Sequence, residues 1–339
     1  MTSQKLDIFF TTNESAMLYE CGFSCDNAIF FKAGKESFFI TDSRYALEAK
    51  EKSHNVEIVE SSDLVKTFIK LVKNTKNIVF DSTEIDVDFF NKIKHLSLQS
   101  QPNFHQKKRI IKSDDEVSLI KKSQSLNKKA FKKFAKFLSK HNKNITEKNL
   151  HFFARKILEN NGNNTLSFNP IVALNENAAK PHALPCDKPL KNHNLVLFDA
   201  GVKYKNYCSD MTRTAFFDGE ISFKKAQTFP PKMQKIYDIV LKAQEIAINN
   251  AKSGMKASEI DALARDYIAK KGYGDFFSHS LGHGVGLDIH ELPRISPKSD
   301  DIITDGMVFS IEPGIYLKDK FGVRIEDLVV MKNGRAEIL

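Results

Sequence analysis

In the first third of the chain, short runs of apolar and β-branched residues alternate with stretches of helical periodicity. Strands are predicted at residues 27–33, 37–41, 56–60 and 78–81, with a turn at Gly34-Lys35 between the first two. A helix opened by Asp42 is predicted over residues 42–52. Strands that alternate with helices in this way predict an α/β domain with a mixed sheet.

A long helix is predicted to open the second part of the chain. Ser113 and Glu116 fit a capping box, in which each side chain binds the backbone N–H of the other residue. Apolar residues then recur at helical spacing as far as Leu138. The polar, basic segment 101–112 comes before this helix and is interpreted as a linker. The predicted domains are therefore residues 1–112 and 113–339.

The second part repeats one order of elements: two helices and a strand hairpin, then two helices and another strand hairpin. Helices are predicted at residues 114–140, 146–160, 231–252 and 258–271, and hairpins at 195–217 and 307–331. Gly272 is expected to end the last helix. The predicted fold class is α/β (α+β), with an α/β domain followed by this internally repeated domain.

Each predicted hairpin carries two acidic residues among apolar strand residues. If the first hairpin turns midway between them, Asp199 lies directly opposite Asp210; a turn centred on Asp319 places Glu312 opposite Glu326. Facing carboxylates destabilise a hairpin and raise each other's pKa unless cations lie between them. Two such pairs favour a site for divalent metal ions over scattered surface acids.

A segment rich in histidine and glycine, residues 279–290, lies between the two hairpins. It contains His279, His283 and His290, and its glycines argue against a helix, so it is interpreted as a loop or extended segment that enters the site. The spacing of His279 and His283 resembles a helical zinc motif, but the glutamate of that motif is missing. Carboxylates with one imidazole suit two divalent ions, which indicates metal-assisted hydrolysis.

Two further residues are candidates for the same site. His182 lies in a loop bounded by Pro181 and Pro185, and taken alone such a histidine is more often structural. Arg324 lies two residues before Glu326 and therefore faces the same side of its strand. It could neutralise or orient the carboxylates, or form a surface salt bridge.

Composition limits the function further. The 339 residues suffice for two domains. The net charge of +9 comes from lysines scattered along the chain. The lysine-rich helix 114–140 is more typical of a helix face exposed to solvent than of a surface that binds nucleic acid, so no nucleic-acid partner is expected. The four cysteines form no CxxC pair, which favours reduced thiols. No apolar run approaches the ~20 residues of a membrane span, so we expect a cytoplasmic protein without a membrane partner.

Taken in order, these motifs closely resemble those of the pita-bread metallopeptidases, in the branch of aminopeptidase P and prolidase. The matching stretches are residues 169–173, 181–182, 198–201, 209–214, 279–290, 311–316 and 322–327. The first domain resembles the creatinase-type N-terminal domain of that family more loosely. The resemblance implies a creatinase-like α/β domain followed by a pita-bread catalytic domain.

The resemblance also implies a role for each candidate residue. The implied ligands of two divalent ions are Asp199, Asp210, His283, Glu312 and Glu326. Glu312 would also shuttle the proton of a metal-bridging hydroxide. His182 and His290 would contact the substrate and stabilise the tetrahedral intermediate, while His279 and Arg324 would line the pocket. Manganese is the implied metal, with cobalt or zinc as substitutes.

The implied function is hydrolysis of the Xaa–Pro bond at the N-terminus of short proline-containing peptides, as an aminopeptidase or a dipeptidase, by a homodimer. A methionine-type aminopeptidase shares the metal site but usually lacks an N-terminal domain of this size. A non-catalytic binding module of the same fold typically lacks the ligands. Both remain alternatives at this point.

Overall fold

The computed structural model describes residues 8–140 and 145–339. The chain divides into two compact units, Met1–Arg109 and Ile110–Leu339. Each unit has its own buried hydrophobic clusters. The domain boundary expected after residue 112 stays a prediction. Among the described residues, every helix is too short or too polar to cross a membrane.

The first unit is built on one mixed sheet. Its elements are β1 (Ile8–Thr11), α1 (Glu14–Cys21), β2 (Ala28–Ala33), β3 (Glu36–Thr41), α2 (Ala46–Lys52), β4 (Glu57–Glu60), α3 (Leu64–Leu71), β5 (Ile78–Phe80), α4 (Val87–Ile93), β6 (Leu98–Ser100) and α5 (Phe104–Arg109). The strand order is β4-β3-β2-β1-β5-β6. Strands β1, β2 and β3 pair antiparallel, whereas β4, β5 and β6 join by parallel pairs. The predicted α/β domain with a mixed sheet is confirmed.

Two expectations for this unit are wrong in detail. The helix predicted from Asp42 begins at Ala46, because Asp42 instead closes a turn: its carboxylate accepts a hydrogen bond from Arg44 N at 2.8 Å. The segment predicted as a linker contains α5, whose residues Phe104 and His105 are buried. The segment was predicted as a linker because most of its residues are polar or basic, although these two positions are buried.

The second unit has the predicted order of elements. They are α6 (Asp114–Lys140), α7 (Glu147–Glu159), β7 (Thr165–Leu166), β8 (Ile171–Leu174), β9 (Asn194–Ala200), β10 (Val202–Tyr204), β11 (Tyr207–Cys208), β12 (Met211–Phe217), α8 (Pro231–Asn250), α9 (Ala257–Lys270), β13 (Gly282–Gly284), β14 (Glu291–Ile295), β15 (Val308–Ile311), β16 (Gly314–Leu317), β17 (Phe321–Arg324), β18 (Asp327–Lys332) and β19 (Arg335–Ile338). The capping box before α6 is confirmed: Ser113 N donates to Glu116 at 2.9 Å, and Glu116 N donates to Ser113 Oγ at 3.2 Å.

Strand β9 lies at the centre of this unit because both of its faces are covered. Leu195 and Leu197 pack in a cluster with side chains of α8 and α9, whereas Val196 and Phe198 pack in a cluster with side chains of α6 and α7. Side chains alternate along a strand, so Asp199 shares the face of Leu195 and Leu197. The strand that carries the first candidate ligand is therefore held from two sides.

The register of the first hairpin differs from the predicted one. Thr212, and not Asp210, lies opposite Asp199. The cause is the position of the turn, which falls at Lys205 and Asn206, both with positive φ. This turn lies one residue later than the midpoint between the two aspartates, and the pairing therefore shifts by two residues.

The second hairpin has the predicted register. Ile311 pairs with Asp327 and Gly314 pairs with Arg324, so the intervening Glu312 and Glu326 occupy facing positions between two short ladders. The turn contains Asp319, whose φ is +58°. This hairpin brings its two carboxylates to one place as expected.

Candidate metal centre

Three potential ligands from separate parts of the second unit meet at one point. One ligand atom each from Asp210, His283 and Glu326 lies within 4.8 Å of the others. Asp210 directly precedes β12, His283 lies in β13, and Glu326 directly precedes β18. Strands of two sheets thus place three residues, separated by up to 116 positions in the chain, in one cluster whose two acids are buried.

Glu312 and Asp199 complete the group of carboxylates. Glu312 Oε1 lies 3.4 Å from His283 Nε2, and Asp210 Oδ2 lies 3.7 Å from the same nitrogen. Asp199 is the last but one residue of β9, and its Oδ2 accepts a hydrogen bond of 2.6 Å from Arg324 Nη2. The structure therefore gathers all five of the ligands expected from the sequence.

The electrostatics of the cluster disfavour ionised carboxylates. Burial, followed by repulsion from Glu326 and Asp199, raises the pKa of Asp210 well above its ordinary range. Burial, followed by repulsion from Glu312 and Asp199, does the same to the pKa of Glu326. Burial raises the pKa of Glu312 to about 7. A cation bound among these carboxylates would offset their mutual repulsion and favour their ionised forms.

His283 presents an unprotonated nitrogen to the carboxylates. Its Nδ1 lies 3.1 Å from the carbonyl oxygen of Gly284 and donates its proton there, which leaves a lone pair on Nε2. Burial and then the neighbouring His290 lower the pKa of His283 to about 4, so the ring is neutral at pH 7. A lone pair directed at carboxylate oxygens is the arrangement of a metal ligand.

The residues present fit a divalent cation site. Within residues 8–140 and 145–339, the buried oxygens Asp199 Oδ1, Asp210 Oδ1 and Glu326 Oε1 have no hydrogen-bond partner. Buried carboxylate oxygens that lack partners are costly. A donor set of several carboxylates and one imidazole suits manganese, cobalt or zinc.

Two hydroxyl groups that the sequence analysis missed orient these ligands. Thr212 Oγ1 donates to Glu326 Oε2 at 2.7 Å. Ser310 Oγ donates to Glu312 Oε1 at 3.1 Å and accepts a hydrogen bond from His283 N at 3.0 Å. Each hydroxyl lies two residues from an acidic candidate that directly adjoins its strand, Asp210 before β12 and Glu312 after β15. Alternation of side chains along an extended chain is the signal that could have found both hydroxyls.

Arg324 is buried and forms the hub of a second group beside the cluster. Besides Asp199, it donates to the hydroxyl of Tyr316 at 2.9 Å and to the carbonyl of Pro181 at 3.1 Å. The Tyr316 hydroxyl also lies 2.8 Å from His279 Nε2. The surface salt bridge considered for Arg324 is therefore wrong. Tyr316, whose pKa burial raises to about 12, is a further residue that the sequence analysis missed.

The remaining histidines adjoin the same region. The ring of His290 lies 4.3 Å from that of His283, measured between centroids. The pKa of His290 is lowered by burial and then by His182, and His182 also adds to the lowering of the His279 pKa, after burial, Arg324 and Arg265. The structure thus brings together the four residues expected beside the metal ligands: His182, His279, His290 and Arg324.

Comparison with known proteins identifies two family models in the chain. Residues 118–333 match the model of metallopeptidase family M24, and residues 1–117 match the creatinase/prolidase N-terminal domain. The uncharacterized peptidase YqhT of Bacillus subtilis is 34% identical over 342 residues, which cover 98% of this chain and 93% of that protein. An uncharacterized peptidase of Staphylococcus aureus is 42% identical over 231 residues, which cover 68% of this chain and 62% of that protein.

Solved structures resemble the whole chain. An Xaa-Pro dipeptidase from Bacillus anthracis is 32% identical with a TM-score of 0.89, over 98% of this chain and 92% of that one. A prolidase from Pyrococcus furiosus is 31% identical with a TM-score of 0.86, over 98% and 96%. An X-Pro aminopeptidase from Thermotoga maritima is 31% identical with a TM-score of 0.86, over 98% and 95%. The expected creatinase-like and pita-bread fold is confirmed.

Proposed function

We propose that this chain, which belongs to metallopeptidase family M24, uses two divalent metal ions to hydrolyse the Xaa–Pro bond at the N-terminus of short peptides. The observation that carries the proposal is the buried cluster of Asp210, His283 and Glu326, with carboxylate oxygens that have no hydrogen-bond partner among the described residues. Similarity to the structures of an Xaa-Pro dipeptidase and an X-Pro aminopeptidase supports the choice of substrate.

The ions would be held by Asp199, Asp210, His283, Glu312 and Glu326. Manganese is the metal proposed, with cobalt or zinc as substitutes, because oxygen-rich sites with one imidazole accept all three. When bound, such ions polarise the scissile carbonyl and lower the pKa of water.

Glu312 would move the proton in this reaction. The Xaa–Pro bond is a tertiary amide, so its nitrogen must gain a proton to leave as the secondary amine of proline. Glu312 Oε1 borders the cluster and is oriented by the hydroxyl of Ser310. A carboxylate so held can accept a proton from the attacking water and return it to the departing nitrogen.

The histidines and Arg324 would bind the substrate. His182 and His290 are proposed to contact the peptide and to stabilise the negative charge that develops on the carbonyl oxygen. His279 and Arg324 are proposed to line the pocket. Burial and then the charge of Arg324 lower the pKa of His279 to about 4, so this ring is neutral at pH 7. Its Nδ1 lies 2.7 Å from the carbonyl of Ser280, which fixes the tautomer.

The match of residues 1–117 to the creatinase/prolidase N-terminal domain favours the prolidase branch over a methionine-type aminopeptidase. The presence of all five candidate ligands in one region argues against a non-catalytic binding module. A cytoplasmic location and a homodimer complete the proposal. Light scattering after gel filtration tests the homodimer.

The activity test is a manganese-supplemented assay of three peptides, Ala-Pro, Ala-Pro-Ala and Met-Ala-Ser. We expect turnover of at least one of the two proline peptides. Turnover of Ala-Pro alone indicates a dipeptidase, and turnover of Ala-Pro-Ala indicates an aminopeptidase. The Asp210→Asn variant, purified in the same way, controls for contaminating peptidases. Turnover of Met-Ala-Ser alone would refute the proline assignment.

A further inference from the structure

An ion pair on α9, in which the acid is buried and the arginine is 25% exposed, lies behind the segment that carries His279. Asp261 and Arg265 are one helical turn apart, and Arg265 donates from Nε and Nη2 to the two oxygens of Asp261 at 2.6 Å and 2.9 Å. The side chain of Asp261 is 1% exposed. Such a fork-shaped contact fixes the guanidinium in one plane.

The pair holds three alternate residues of one extended segment by their backbone groups. Arg265 Nη1 donates to the carbonyl of Phe277 at 3.0 Å, and Nη2 donates to the carbonyl of His279 at 2.8 Å. Leu281 N donates to Asp261 Oδ1 at 3.0 Å. The guanidinium also lies over the ring of Phe277, at 4.2 Å from its centroid. The hydrogen bonds of this one pair thus attach the backbone of residues 277–281 to α9.

The same segment sets the position of an imidazole in the proposed pocket. With Nδ1 against the carbonyl of Ser280 and Nε2 against the Tyr316 hydroxyl, both nitrogens of His279 are engaged. The ring of Phe277 lies against that of His279 at 5.1 Å and 90°. A ring with both nitrogens engaged cannot turn to compensate for a shift of its backbone, so its location follows the backbone at residues 277–281.

We propose that Asp261 and Arg265 are positioning residues that set His279 in the substrate pocket. The inference rests on the proposed function, because it assigns the pair to the binding of the peptide. Arg265 uses donors of one planar group for Asp261 and for two carbonyls. Lysine has one nitrogen and cannot reproduce that geometry.

A contribution to folding stability alone does not explain this ion pair. The charge of Asp261 is buried and loses its hydration, a cost that offsets much of its attraction to Arg265. Here three hydrogen bonds of the pair go to the backbone of the segment that carries His279. A role in positioning His279 explains these three hydrogen bonds.

The test compares Arg265→Lys with Arg155→Lys. Arg155 also pairs with an acid one turn away on its helix, Glu159, but both side chains are more than 40% exposed and the pair holds no pocket segment. For Ala-Pro, we expect Arg265→Lys to raise KM about tenfold with kcat within about threefold, because substrate contacts weaken more than chemistry. Arg155→Lys should match the wild type. Unchanged KM in Arg265→Lys would overturn the proposal.

A second comparison shows whether Arg265 acts through His279. In a His279→Ala background, the further substitution Arg265→Lys should change kcat/KM less than about twofold, because coupled residues are not additive. If Arg265→Lys lowers kcat/KM as much in that background as in the wild type, the pair does not act through His279. A loss of bound manganese in Arg265→Lys, measured by elemental analysis, would likewise assign the pair another role.

A spectroscopic readout keeps the inference separate from the proposed activity. With histidine labelled at Cε1, the resonance of His279 is assigned from its absence in His279→Ala. We expect it to shift in Arg265→Lys and to stay in place in Arg155→Lys, whether or not the protein cleaves Xaa–Pro bonds. Should Arg265→Lys fail to fold, Asp261→Asn is the second variant, since its amide oxygen still accepts from Leu281 N. A His279 resonance that stays in place in a folded variant would overturn the proposal.

Discussion

The ammonium of Lys112 and the carboxylate of Glu291 form an ion pair of 2.9 Å in which each side chain is 1% exposed. Glu291 directly follows His290 and also accepts a hydrogen bond from Asp288 N at 3.1 Å. The pair therefore ties the start of the second unit to the loop that carries a candidate substrate-binding histidine.

Replacement of Lys112 by Met is expected to lower the free energy of unfolding by about 3–5 kcal/mol, because the charge of Glu291 stays buried without its ammonium. The added substitution Glu291→Gln should recover part of this loss. Lys148, in an exposed pair with Asp187, provides the control: Lys148→Met should cost less than about 1 kcal/mol. Urea denaturation measures all three, and equal losses at the two lysines would contradict the argument.

Replacement of Arg324 by Lys is expected to lower kcat/KM for Ala-Pro by about two orders of magnitude. A single ammonium cannot serve Asp199, Tyr316 and the Pro181 carbonyl together. Steady-state kinetics measures the loss. The control is Arg44→Lys, because Arg44 is exposed and pairs with Asp42 in the other unit. Activity within threefold of the wild type in Arg324→Lys would remove this residue from the pocket.

Manganese is expected to stabilise the wild type and not the Asp210→Asn variant. At a concentration one hundred times the Kd, a bound ion adds about 2.7 kcal/mol to the free energy of unfolding. Without metal, the variant should be at least as stable as the wild type, because one buried carboxylate has lost its charge. Thermal unfolding with manganese or EDTA measures both effects. An equal response of the two proteins would argue against this site.

The stability of metal-free protein is expected to depend on pH through Glu312. Its pKa is raised from 4.5 to about 7 by burial, so between these values the folded state holds a proton that the unfolded state has released. The resulting stabilisation, on the order of 3 kcal/mol, is complete below about pH 4.5 and is lost as the pH rises through 7.

Glu312→Gln isolates this contribution because glutamine does not titrate. In EDTA, the free energy of unfolding of the wild type minus that of the variant should decrease from pH 5 to pH 8, as measured by urea denaturation. A difference that is independent of pH would show that the folded-state pKa of Glu312 is ordinary.

The proton transfer assigned to Glu312 predicts a graded effect of two substitutions. Glu312→Gln should reduce kcat by three orders of magnitude or more, since the group can no longer accept a proton. Ser310→Ala removes the hydroxyl that orients Glu312 and accepts a hydrogen bond from His283 N, and should reduce kcat by about tenfold. Stopped assays with Ala-Pro measure both. Near-normal kcat in Glu312→Gln would exclude it from the chemistry.

Pattern and spacing were enough to predict the long helices and the acidic pair of the second hairpin. Helix α6 has the predicted bounds, and the turn at Asp319 gives Glu312 and Glu326 the expected register. The first hairpin was wrong because no sequence signal fixed its turn at Lys205 and Asn206. Asp199 and Asp210 still reach the same cluster, because a shift of two residues leaves every side chain on its original face.

Other parts of the site could not be read from the sequence. Tyr316 and the pair Asp261–Arg265 act through contacts with residues elsewhere in the chain, and an isolated tyrosine or an acid and an arginine on a helix has many ordinary explanations. Periodicity reports which face of an element is buried. It does not report which distant group that face meets.

The turn at Lys205 and Asn206 lies at the tip of a hairpin whose two arms continue into β9 and β12. Adding or removing one residue from each arm at this tip would alter the length of the projection while every carboxylate below kept its orientation. A single added residue would reverse one arm relative to the other. Related chains can therefore vary this projection in steps of two, a rule that engineered loop grafts at the same place can follow.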